Sequence, residues 1–325
     1  MVTTANHVMP ASFFGIVLGV VGLGSSWRVA TRLWGLPSAI GECVMAVAAS
    51  VWILLVAGYL SNWIRHRDAA MAEARHPIQC CFISLCPIST TLMGLVLLPY
   101  AHTLALLAWA AGSLGQLAFV VARAGGMWRG ERDITNITPI LLLPTVAGNL
   151  ISSIVAGALG LHAFGMLFLG IGFFSWLVID SIILFRLWTG PAMPAELRPT
   201  LGIELAPPVV SCMAYLANTQ GHVDLFAQAT WGYGLFQLLV LCRLLAWIMK
   251  QPLSPSYWAF SFGLTALSTG ALQMTLRGEE GVIAALAMPI FIIVNAVIVV
   301  LALNTLWHLS KNGLPAGIDA SPASR

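Results

Sequence analysis

Residues 140–161 read ILLLPTVAGNLISSIVAGALGL. No side chain in that stretch ionises, and about 20 mainly apolar residues are enough to cross a hydrocarbon core. Pro144 near its start withholds an N–H and clashes with the carbonyl one turn back. Thr145, Asn149 and Ser152 then follow at helical spacing on one face. The stretch predicts a bent membrane-spanning helix whose polar face turns away from lipid.

Nine further stretches of this kind flank it, at about 11–27, 40–64, 78–100, 103–122, 162–188, 201–217, 223–249, 256–276 and 281–309. Proline, glycine and charge punctuate the breaks, as in Leu36-Pro37-Ser38, Arg75-His76-Pro77, Thr138-Pro139 and Gly278-Glu279-Glu280. Composition agrees. Hydrophobic residues make up 59% of the 325 and charged residues 8%, against about 25% charged in a soluble domain. So few charges cannot make a water-facing surface. The expected fold is an all-α integral membrane protein with ten spans in a single domain, 1–325, ending in a short polar tail, 312–325. A net charge of +3 gives no reason to expect a nucleic-acid partner. Cys43, Cys80, Cys81, Cys86, Cys212 and Cys242 all fall in apolar stretches without metal-ligand spacing and read as buried apolar residues. No basic residue precedes the first apolar run and no cleavage site follows it, so that run is expected to stay as a helix.

Cytoplasmic segments of membrane proteins are enriched in Lys and Arg. With a cytoplasmic N-terminus the inner segments hold Arg65, Arg67, Arg75, Arg123, Arg129, Arg132, Arg186, Arg198, Arg243, Lys250, Lys311 and Arg325, and the outer ones only Arg28, Arg32 and Arg277. That split of 12 against 3 accounts for all 15 basic residues. An odd number of spans would scramble it, so both termini are expected in the cytoplasm.

A repeat is visible in alternate spans. Met9-Pro10-Ala11-Ser12, Cys86-Pro87-Ile88-Ser89, Leu143-Pro144-Thr145 and Ala206-Pro207-Pro208-Val209 set proline beside small or hydroxyl residues in the inner half of a span. The ninth span has Ser261-Phe262-Gly263 at the matching depth. This predicts five helical hairpins, each with a bent odd helix and a straighter even one. Bent backbone in hydrocarbon needs protein or water to satisfy it, so the bends are expected around a common water-filled axis.

Residues expected to line that axis are Gly15 and Gly19 on a glycine stripe with Gly22, Pro87 and Thr90, Pro144, Thr145 and Asn149, Pro207, and Ser261, Gly263 and Thr265. Interhelical hydrogen bonding and close helix contact are the competing roles for the hydroxyls and glycines. Phe262, at the depth of the shared bend and beside a glycine, is the candidate gate; a core aromatic is its ordinary alternative. Asp180 and Arg243 lie at similar depth in even spans and are expected to pair with each other. Glu204 near the cytoplasmic mouth is expected to be structural. No catalytic, metal-binding or cofactor motif is present, which points to a conduit and away from an enzyme.

Several stretches are similar to the tellurite-resistance and dicarboxylate transporter family, which includes the slow anion channels of plant guard cells. They are Phe13-Phe14-Gly15-Ile16, Leu143-Pro144-Thr145-Val146-Ala147 with Asn149, Leu201-Gly202-Ile203, Leu205-Ala206-Pro207, Trp231-Gly232-Tyr233-Gly234, Arg243-Leu244 and Trp258-Ala259-Phe260-Ser261-Phe262-Gly263. The resemblance implies five hairpins with quasi-fivefold symmetry around a central pore, a homotrimer, the bacterial inner membrane, and an anion channel occluded by the phenylalanine at 262 with Gly15 along the pore. Pro208 and Glu204 depart from the family's usual pattern. The expected partners are small inorganic or organic anions and the lipid bilayer. The competing function is a coupled carrier or exporter for a C4-dicarboxylate, sulfite or a tellurium oxyanion. A carrier ordinarily needs paired ionisable groups or inverted repeats, and the odd spans lack paired charges.

Overall fold

A computed structural model describes residues 9–130, 132–250 and 252–312; of the polar tail expected at 312–325, all beyond residue 312 lies outside them. The described residues are helical and contain no strand. In chain order the helices are α1 (Ala11–Trp34), α2 (Ser38–Arg65), α3 (Arg67–Arg75), α4 (Gln79–Leu97), α5 (His102–Met127), α6 (Pro139–Ala158), α7 (His162–Thr189), α8 (Ala195–Asn218), α9 (Leu225–Ile248), α10 (Ser261–Leu276) and α11 (Val282–Asn312). Among the described residues nine are long and apolar enough to cross a membrane. α3 is too short to cross, and α10 is not one of the nine, although it is helical where the ninth span was expected.

Radial order follows from which residues each helix hides. Between 61 and 89% of the residues in the apolar windows of α1, α4, α6 and α8 are buried, against 22–33% in α2, α5, α7, α9 and α11. α10 is buried along most of its length. The inner five close a ring in the order α1, α4, α6, α8, α10 and back to α1, and each outer helix packs on the inner helix preceding it. These are the five expected hairpins. The outer faces carry exposed Leu, Ile, Val and Phe, such as Leu54, Leu107, Phe174, Leu239 and Ile292, as lipid contact requires.

Every inner helix starts with irregular winding at the same end. α1 opens with a 3-10 turn at Ala11–Phe13, α4 with Gln79–Ser84 and α8 with Ala195–Leu205; α10 follows the 3-10 segment Pro255–Phe260. α6 begins with a 3-10 turn at Pro139–Leu141 and a π segment at Leu143–Ala147. Pro87, Pro144, Pro207 and Pro208 sit where the winding changes. A proline is tolerated in a first turn because its missing N–H would be unpaired there anyway. α10 makes the same transition at Ser261 without a proline, directly before Phe262.

Two boundaries differ from expectation. The first span does not stop near Trp27 but runs to Trp34, where Gly35 closes it in the left-handed conformation at φ 67°. α3 was not anticipated. Its Glu73 accepts the Ala11 N–H at 3.0 Å and the Tyr59 hydroxyl at 3.4 Å, so it holds the irregular start of α1. Cys43 and Cys242 face outward rather than into the core.

The glycine stripe of α1 divides between two jobs. A Cβ at Gly19 would collide with Ser261 and come within 3.0 Å of Trp258, and one at Gly22 would collide with Thr265. Both positions therefore serve close packing on α10, which a Ser26–Ser268 hydroxyl contact of 2.8 Å reinforces. At Gly15 nothing lies within 4 Å of an added Cβ. Gly19→Leu should thus destabilise the protein by about 1–3 kcal/mol through overpacking. Gly15→Ala should fold normally and gain up to about 1 kcal/mol of helix propensity. Thermal unfolding in detergent checks both, and equal melting points for the two variants would contradict the division.

Candidate functional site

Two cavities open inside the ring from opposite ends. One, called inner after the expected topology, is about 410 Å³ and lies at the irregular ends of the five helices. Its wall is mostly aliphatic and aromatic, with Phe13, Leu85, Leu142, Val146, Ile203 and Val210 beside Gly15 and Pro207. Glu196 is the one charged residue on it among the described residues. The outer one, about 670 Å³, lies where the five helices end, among Leu98, Ala158, Ala217 and Leu276. Phe262 lines both cavities, and no other described residue does. Its ring sits 3.5 Å from where a Gly22 Cβ would stand, so it reaches across to α1.

The two cavities hold three of the twelve residues expected at the pore or its gate. Phe262, Gly15 and Pro207 line a cavity; Gly19, Pro87, Thr90, Pro144, Thr145, Asn149, Ser261, Gly263 and Thr265 do not. Most of their polar groups turn back to the nearest carbonyl. Thr90 donates to Cys86 O at 2.9 Å, Ser261 to Trp258 O at 2.6 Å, Thr265 to Phe262 O at 3.0 Å and Asn149 to Thr145 O at 2.6 Å. Ser152 accepts from Ser113 of α5 at 2.9 Å. Pro87 packs 3.5 Å from the position of a Gly115 Cβ, the Pro144 carbonyl accepts from Gln116, and Gly263 abuts Leu205. Ser152 at Ser113, and Ser261 and Thr265 at the glycines of α1, do form seams between helices.

Sequence reasoning missed the charges of the outer cavity. Arg28, Arg32, Glu42 and Arg277 all line it. Arg28 and Glu42 form a two-pronged pair, Nε to Oε1 at 2.8 Å and Nη2 to Oε2 at 2.7 Å, which is the one salt bridge among the described residues. Arg28 also donates to the Leu95 and Val96 carbonyls near the end of α4, at 2.5 and 3.4 Å. Arg277 donates to the Thr219 carbonyl at 2.7 Å and to that of Leu216, closing the end of α8. Arg32 is exposed on the last turns of α1. The available signal was the charge split itself, because these three are the arginines that broke the positive-inside pattern.

Asp180 and Arg243 do not meet. Asp180 is 7% exposed and lies against Glu204, itself 5% exposed, with Tyr233 of α9 near both carboxyls. Both Glu204 oxygens and Asp180 Oδ1 are buried and meet no hydrogen-bond partner among the described residues. Arg243 is exposed on the outer face of α9. The buried stripe of α9 runs through Thr230, Trp231, Gly234, Gln237 and Leu241, and Arg243 falls off it. Neither Asp180 nor Glu204 lines a cavity.

Comparison with known proteins agrees with this architecture. Residues 8–306 match the family described as voltage-dependent anion channel (SLAC1), and the chain belongs to that family. It is 34% identical over 312 residues to the tellurite resistance protein TehA homolog of Haemophilus influenzae, covering 95% of this chain and 93% of that relative. It is 22% identical over 329 residues to the S-type anion channel SLAH3 of Arabidopsis thaliana, covering 96% of this chain and 51% of the relative. The guard cell S-type anion channel SLAC1 of the same plant is 23% identical over 311 residues, covering 92% and 55%. This chain thus spans about half the length of the plant relatives. The family resemblance read from the sequence holds.

Two carboxyl groups buried in contact repel whenever both ionise, so Glu204→Gln should raise the melting temperature or leave it unchanged. Arg243→Gln, at an exposed position, should shift stability by no more than about 0.5 kcal/mol. If Arg243→Gln instead melts early and Asp180→Asn restores it, the two residues are coupled after all. Thermal melts of the single and double variants in detergent decide.

Proposed function

We propose that this chain is an anion channel of the bacterial inner membrane, with its pore along the axis of the inner ring and Phe262 as the gate. The observation that carries the reading is that, among the described residues, Phe262 alone lines both cavities. A phenyl ring offers nothing to an anion's hydration shell, so in a narrow apolar passage it blocks by filling and dewetting. Its position at the change of winding in α10 lets small backbone adjustments swing the ring aside, with Gly263 next to it. α10 is the ninth crossing in chain order and brings the total to ten. Both termini are cytoplasmic, as the split of basic residues favours, which makes the Glu196 mouth inner and the arginine mouth outer. Three copies assemble with one pore each, as the family resemblance implies. The substrates are small inorganic or organic anions, and the name of the Haemophilus relative makes tellurium oxyanions worth including among those assayed.

Coupled transport needs an ionisable group on the substrate path. The buried carboxyl pair, Asp180 and Glu204, lies off both cavities, and of the acids on the cavity walls Glu42 is tied to Arg28 and Glu196 stands alone, which favours passive conduction over coupling. The aliphatic wall of the inner cavity holds no cation to bind one anion tightly, so permeability should follow size and dehydration cost.

Phe262→Ala should raise basal anion current severalfold in planar bilayers while the protein stays folded. A purely structural phenylalanine would instead leave a cavity costing about 3–5 kcal/mol and no extra current. Gly15→Asp, which puts a carboxylate into the open inner cavity, should suppress the current of the Phe262→Ala channel. Unchanged current in both variants removes this pathway from conduction.

A further inference from the structure

The outer cavity has a net charge that the inner one lacks. Its lining carries Arg28, Arg32 and Arg277 against Glu42, three positive groups and one negative, for +2; the inner lining carries Glu196 alone, for −1. The three arginines are not equivalent. Arg28 is neutralised by Glu42 and bound to the end of α4, and Arg277 is bound to the end of α8. Both cover carbonyls at helix C-termini, where about half a negative charge would otherwise face an approaching anion. Arg32 forms no salt bridge among the described residues and is exposed to the cavity.

We propose that the outer cavity is an anion-collecting site, in which Arg28 and Arg277 occupy the end carbonyls of α4 and α8 and Arg32 supplies the free charge that concentrates small anions. A cleft of one sign with low-dielectric walls raises the local concentration of the opposite ion, and salt screens the effect. The Debye length falls from about 30 Å at 0.01 M to about 3 Å at 1 M, so enrichment is strong at the first concentration and absent at the second. The site is unselective, since one guanidinium without a fixed partner geometry recognises charge rather than shape. Its role in conduction rests on the channel reading, but the collection of anions does not.

The test reads local ion concentration without requiring conduction. Ser38, exposed on the same cavity wall, is replaced by Cys and carries a neutral fluorophore, with the exposed Cys43 and Cys242 changed to Ser. Quenching by iodide and by caesium is measured on the purified full chain, with neutral acrylamide as the access control. Iodide should quench at least about twofold better, relative to caesium, than it does on the free dye at low salt. Arg32→Gln should remove most of that preference, Arg32→Glu should reverse it, Arg32→Lys should keep it, and about 1 M salt should abolish it. An iodide-to-caesium ratio equal to the free dye's, or one indifferent to Arg32, overturns the proposal. Bilayer currents of the Arg32 variants in the Phe262→Ala background complete the experiment. Enrichment without any anion current leaves the collecting site standing and defeats the channel reading. Anion current without enrichment does the reverse.

Discussion

Backbone N–H and C=O groups inside a bilayer must find partners within the protein or in trapped water. That constraint orders the rest of this fold. Five helices begin with 3-10 or π winding, where the regular hydrogen-bond ladder is interrupted. Lipid cannot satisfy the freed groups, so all five must stand inside, flanked by other helices and by a cavity. The remaining long helices wind regularly from end to end and can take the lipid side. Pro289 within α11 is the one proline inside an outer helix. The closed ring, the pairing of each inner helix with an outer one and the inner cavity all follow from keeping irregular backbone away from hydrocarbon.

The sequence disclosed this arrangement because bending and length are local properties. Pro87, Pro144 and Pro207 mark the changes of winding directly, and uninterrupted apolar runs mark the spans. Rotation about a helix axis is a weaker signal. The stripe of Thr145, Asn149 and Ser152 correctly showed a face hidden from lipid, but protein and water leave the same polar pattern. In an apolar interior a hydroxyl's nearest acceptor is the carbonyl three or four residues back, and Thr90, Ser261 and Thr265 all take it. Matching depth likewise suggested a pair between Asp180 and Arg243. The helical phase of α9, with Gln237 and Leu241 buried and Arg243 outside, was the better guide.

The arginines of the outer cavity were hidden by a different error. A charged residue usually ends an apolar span, so Arg28 read as the loop after the first helix. In the fold α1 continues for two turns beyond it, because Arg28 is paired with Glu42 and saturated by the carbonyls of α4. Pairing makes a charge affordable near the end of a span and removes its value as a stop signal. The clue lay in the distribution of charge over the whole chain, where three arginines stood against the topology of the other twelve basic residues.

The same helix polarity gives the two ends of the ring opposite electrostatic problems. All five inner helices run in one direction, so their N-terminal ends surround the inner cavity and their C-terminal ends the outer one. Helix N-termini carry partial positive charge, and C-termini an equal negative one. The inner mouth is therefore hospitable to anions without any Lys or Arg in its wall, and among the described residues it has none. The outer mouth would repel them if its carbonyls were left bare, and there the chain places Arg28 and Arg277 on the helix ends. A cation-conducting ring of the same polarity would have the reverse requirement, acidic groups at the N-terminal mouth and bare carbonyls at the other. With Glu196 as the only acid on the inner wall and three arginines on the outer, the side chains offset the backbone where it opposes anions and leave it nearly uncovered where it attracts them.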